Sequence, residues 1–98
     1  SALGAFRTAQ QALLRDMAAI LEMLHSAQAE LAAVQAQITP LLVKMAFRQP
    51  LTAAEIAALH SLQARQVALS ETVAMANNAF HNILRQMQRG GPPSPSAP

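Results

Sequence analysis

Three histidines, His25, His60 and His81, and five carboxylates, Asp16, Glu22, Glu30, Glu55 and Glu71, are the side chains of this chain best suited to hold a metal or move a proton. Metal sites on helices need donors one turn apart, as in H-x-x-x-H or H-x-x-E-H, and neither spacing occurs. Acid–base catalysis by carboxylates needs two of them converging on one bond, and here they are dispersed. There is no Cys. That removes thiol nucleophiles, disulfides and Cys–zinc sites, and leaves the redox compartment open. No Gly-rich phosphate loop and no nucleophile triad is present. The residues point to a non-enzyme with no cofactor and no metal.

Those side chains sit on two long runs of helix-forming residues separated by one corner. Apolar side chains recur in alternating steps of three and four: Leu3, Phe6, Leu13, Met17, Ile20, Leu24, Ala27, Leu31, Val34, Ile38, Leu41 and Met45, then Leu59, Leu62, Leu69, Val73, Ala76, Phe80, Ile83 and Met87. Gln10 and Gln66 interrupt the two stripes at a positions, and Ala27 and Ala76 occupy d positions. This is the heptad pattern of helices that pack lengthwise on other helices. All three histidines fall at b, on the outer face of an antiparallel pair, where no two converge.

The first helix is expected over about 5–47, kinked or broken at Pro40, with the surviving heptad favouring a kink. The second is expected over about 53–89. Thr52 and Glu55 form a T-x-x-E capping box, and Leu51 and Ile56 stand at the N′ and N4 positions of a hydrophobic staple. Gly90-Gly91-Pro92 ends the helix, and residues 90–98 read as a Gly/Pro/Ser-rich linker or free end. Residues 1–89 then form an all-α antiparallel helical hairpin.

A lone hairpin leaves apolar surface uncovered. The expected seam is Leu13, Met17, Ile20, Leu24, Leu31, Val34 and Ile38 against Leu59, Leu62, Leu69, Val73, Phe80 and Ile83. Leu14, Leu21 and Leu42 widen the first stripe at e, which fits a bundle better than a narrow seam. Leu14, Leu21, Met23, Val67 and Met75 are the candidates for facing a partner. Only 12% of residues are charged, about half the usual share, and Glu71 is the one charged residue between Gln66 and Leu84. Ala pairs four apart, Ala29/Ala33, Ala32/Ala36 and Ala64/Ala68, permit close helix approach. The expected assembly is a dimer of hairpins forming a four-helix bundle, or a hairpin completing the bundle of another protein.

Several function classes fall away. Seven Lys/Arg against five Asp/Glu give a net charge of +2, and the basic residues are scattered rather than striped, so nucleic acid is not expected as a partner. The longest uncharged runs fall short of the roughly 20 apolar residues a bilayer needs. A membrane-surface amphipathic helix would carry Lys/Arg on its polar face where this chain shows Gln and Ser. No leader pattern is visible, although the sequence does not open on Met, and a cytoplasmic location is the expectation.

In outline, two long heptad helices joined at one corner resemble the short hairpin chaperones of type III secretion systems and the hairpin dimers that dock polyketide synthase subunits. The first likeness implies capture of a client helix, the second dimerisation and docking. The secreted hairpins with a Trp-x-Gly turn differ at the corner, where this chain has no Trp. The all-α chorismate mutases hold a dicarboxylate with inward Arg and Lys, and here the inward positions are apolar. The reading that follows is a non-catalytic protein–protein interaction module.

Overall fold

A computed structural model describes residues 1–90, and these form two helices: α1, Ala2–Ala46, and α2, Ala53–Arg89. They pack against each other as an antiparallel hairpin, 74 Å long and 16 by 14 Å across. The Pro-rich segment after Gly90 lies outside the described residues.

α1 begins three residues before the expected start at residue 5. Ser1 is its N-cap, and the Ser1 hydroxyl accepts the Gly4 N–H at 3.1 Å. Gly4 weakens the helical pattern in the sequence, but the cap satisfies its N–H and lets the first turn form. α1 then runs through Pro40 without ending. Proline cannot donate to the Ala36 carbonyl. Both Ala36 and Pro40 are exposed, on the side of α1 open to solvent rather than in the seam. Just before the proline, the Thr39 hydroxyl donates to the Gln35 carbonyl at 2.8 Å.

At the corner α1 closes in a Schellman motif. Gln49 N–H donates to the Lys44 carbonyl at 2.8 Å and Arg48 N–H to the Met45 carbonyl at 3.0 Å. This motif needs a left-handed residue after the C-cap, a place usually filled by glycine. Here Arg48 takes it, with φ of 56°. α2 opens on Thr52, whose hydroxyl accepts the Glu55 N–H at 3.1 Å while the Glu55 carboxylate accepts the Thr52 N–H at 3.0 Å. Leu51 packs against the core, whereas Ile56 stays exposed.

The buried residues fall on the heptad seam. Ala27, Val34, Ile38, Leu59 and Leu69 form the core cluster, with Leu31, Leu41, Leu51, Leu62 and Val73 packed against it. Ala76 and Ile83 are buried further toward the open end. The two d-position alanines are among the most enclosed residues: Ala76 is 1% exposed, and Ala27 shares the cluster with Leu69. A small residue at such a position lets the facing backbone come close. The ends of the first stripe depart from expectation. Leu3 and Met45 are exposed, and past Leu41 it is Lys44 that is half-buried, held across the corner by Glu55.

Candidate interaction surface

Two ion pairs set the register of the hairpin. Lys44 Nζ lies 2.6 Å from Glu55 Oε2 beside the corner, and Arg65 Nη2 lies 2.5 Å from Glu30 Oε2 near the middle. Glu30 is at g in α1, and Arg65 occupies g in α2. In an antiparallel pair the two g rows meet along one edge and the two e rows along the other. Lys44 is at g as well, paired with Glu55 at d, so both pairs mark the same edge, the g edge, which Asp16 also joins. Hydrogen bonding by Lys44, and then by the Thr52 N–H, holds the Glu55 carboxyl below its ordinary pKa of 4.5 against a smaller opposing effect of desolvation.

The other edge has a different chemistry. Its α1 row is Arg7, Leu14, Leu21, Gln28, Gln35 and Leu42, and its α2 row is Ile56, Gln63, Ser70, Asn77 and Leu84. Arg7, near the open tip, is the one charged residue of the two rows, and from Leu14 to Leu42 and from Ile56 to Leu84 there is none. Leu14 is 51% exposed, Leu21 45%, Leu42 47% and Ile56 44%, while Leu84 is half-buried. The seam thus has one charged, ion-paired flank and one uncharged flank with large apolar side chains in water.

The five partner-facing candidates do not share a face. Leu14 and Leu21 lie on the uncharged edge. Met23 lies on the g edge, in a shallow open groove that also includes Ala27, Glu30, Arg65, Leu69 and Thr72. Val67 and Met75 occupy b and c on the outer face of α2, 59% and 71% exposed. Heptad reading of α1 marked Leu14, Leu21 and Leu42. It did not reach Ile56 and Leu84, which become visible as the matching row only when α2 is given e positions and set antiparallel.

No polar or charged residue is buried among the described residues. Gln10 and Gln66 are both half-buried in the seam and keep access to solvent. They do not face each other: the Glu30–Arg65 pair places Gln66 level with Ala29, about 30 Å along α1 from Gln10 at 1.5 Å per residue. His25, His60 and His81 are exposed, and His81 meets the Phe80 ring edge-on at 6.1 Å between centroids. Asn77, Asn78 and Asn82 are exposed as well, with Asn82 accepting a hydrogen bond from Arg85. Among the described residues no three potential donors gather as a metal site, and no helix is long and apolar enough to cross a membrane. No family model, curated protein or solved structure matches the chain.

Proposed function

We propose that this chain is a non-catalytic protein–protein interaction module that works by lengthwise helix packing, its hairpin forming half of a four-helix bundle. The observation that supports this most is the row of exposed leucines and isoleucine on the uncharged edge, continuous with the core seam. A surface of that kind is costly to leave in water, since each fully buried large aliphatic side chain is worth about 1.5 to 3 kcal/mol. Bundles cover such a surface by adding helices beside the seam.

A second reading rests on the g-edge groove around Met23 and Leu69. There the hairpin would act as a small secretion-type chaperone holding a client helix, with flexible Met contacts suited to varied partners.

Thermal melting followed by circular dichroism at several concentrations tests the first reading. A cooperative transition whose Tm rises with concentration supports it. A chain that is molten or aggregates alone, and gains helicity only with a client, supports the chaperone reading and overturns the first. If the Tm is independent of concentration, a photocrosslinker placed at Leu21 in the cells that make the protein tests association with a different chain. Absence of crosslinks to any helical segment then overturns the association reading altogether.

A further inference from the structure

We infer that the occupant of the uncharged edge is a second copy of this chain, docked side by side so that the rows of Leu14 and Leu84 and of Leu42 and Ile56 bury one another. This deepens the association reading above and rests on it. Three observations select the occupant and the edge.

The first is charge. A docking surface built for a different, charged protein usually offers groups to pair with, and an unpaired charge brought against an apolar surface pays its full desolvation. Between Leu14 and Leu84 the edge offers none. A second copy brings an equally uncharged stretch, so pairing along it strips water from no ion, and Arg7 stays beyond it near the open tip. The opposite edge holds Asp16, Glu30, Lys44 and Arg65, with Glu55 beside them, and burying it would strip water from these charges.

The second is the order of residues along the edge. Apolar side chains stand at the two ends of its uncharged stretch, Leu14 with Leu84 and Leu42 with Ile56, while Leu21 with Asn77, and then Gln28, Gln35, Gln63 and Ser70, occupy the middle. A two-fold axis along the rod sets each level of the edge against the same level of the second copy, so that Leu14 faces Leu84 and Leu42 faces Ile56, with Leu21 beside Asn77. An isologous two-fold interface requires a surface that is its own complement. Here apolar ends meet apolar ends, and amides and hydroxyls meet groups that both donate and accept.

The third is area. The face runs along a body 74 Å long and at least 14 Å wide, which offers on the order of 1,000 Å². A stable interface takes about 800 Å² per partner. The core cluster is concentrated toward the corner and middle, and Leu14 and Leu21 flank the open half, where Leu13, Met17, Ile20 and Phe80 are only half-buried. A second copy would cover the half of the hairpin that is least enclosed.

Sedimentation equilibrium on the full chain, with Leu14→Glu and Leu21→Glu beside Met23→Glu, Val67→Glu and Met75→Glu, tests this. All five positions are at least 45% exposed, so the hairpin itself tolerates the change, and circular dichroism checks that helicity is kept. The expected result is a dimeric parent chain, a dimer Kd weakened tenfold or more by each edge variant, and an unchanged Kd in the other three. Dimers that survive both edge variants, or that dissociate with Val67→Glu, Met75→Glu or Met23→Glu instead, overturn the assignment of this edge and leave the association reading standing. A parent chain that stays monomeric overturns the second copy as occupant. The Leu21 crosslinking experiment then decides the association reading separately.

Discussion

Thr52, Glu55, Lys44 and Arg48 carry the corner, and each has a separable effect. Thr52→Ala removes the hydroxyl that accepts the Glu55 N–H, and the expected loss is about 1 kcal/mol in denaturant unfolding; a neutral result would place the start of α2 elsewhere. Arg48 holds a left-handed conformation at φ of 56°, which costs a residue with a Cβ roughly 1 to 2 kcal/mol. Glycine relieves that strain but gains freedom when unfolded, so Arg48→Gly is expected to raise stability by up to about 1 kcal/mol. Unchanged or lower stability would show that the guanidinium makes a compensating interaction. The Glu55 carboxyl has its pKa lowered by folding, chiefly through Lys44. Its stabilising contribution is therefore fully present above the unfolded value of about 4.5 and is lost as pH falls through the lower, folded value. Melting temperatures measured across acid pH should show this loss, and Glu55→Gln should flatten it.

At the scale of the element, α1 is one 45-residue helix in spite of Pro40. An interior proline costs about 3 kcal/mol through the missing bond and the ring clash. Ala36 and Pro40 both lie on the side of α1 open to solvent rather than in the seam. Pro40→Ala restores a donor to the Ala36 carbonyl and is expected to stabilise the chain by about 1 to 3 kcal/mol in urea unfolding; destabilisation would mean that the seam beyond Ile38 depends on the proline's geometry. The packed seam is tested at Leu69, which is buried in the core cluster beside Ala27. Leu69→Ala should cost about 2 to 3 kcal/mol, toward the low end for a core leucine because the core is one layer deep.

These elements were legible to different degrees, for physical reasons. The heptad stripes and the Thr52 box are local patterns, and the buried residues Val34, Ile38, Leu59 and Ile83 fall on the stripes read from the sequence. The Ser1 cap was hidden by Gly4, a poor helix former whose N–H the cap satisfies. The left-handed turn at Arg48 gave no signal, since glycine is the residue that normally marks it. Axial register was legible to within a few residues, by aligning the two helices antiparallel across a corner near residue 49. Its final value depends on how many residues the corner consumes, and the Glu30–Arg65 pair shows which residues stand level. Once it is known, the contrast between the two edges follows from residue types already in the sequence.

At the scale of the whole molecule, shape is the governing fact. The accessible surface is 7141 Å², whereas a compact monomer of 10.4 kDa would expose about 5,400 Å². The excess follows from two helices 74 Å long with a core one residue thick, in which no large side chain is wholly enclosed among the described residues. Such a rod gains most by adding helices along its length and least by adding them at its tips. Side-by-side pairing through the Leu14–Leu84 and Leu42–Ile56 rows thickens the rod without lengthening it. Small-angle scattering reads this directly when the parent chain is compared with the Leu21→Glu variant, whose segment beyond Gly90 is identical. The expected dimer has the same maximum dimension as the monomeric variant and a larger cross-sectional radius. A maximum dimension close to double that of the variant would mean that copies join end to end, through the corner or the open tip, and would contradict lengthwise packing.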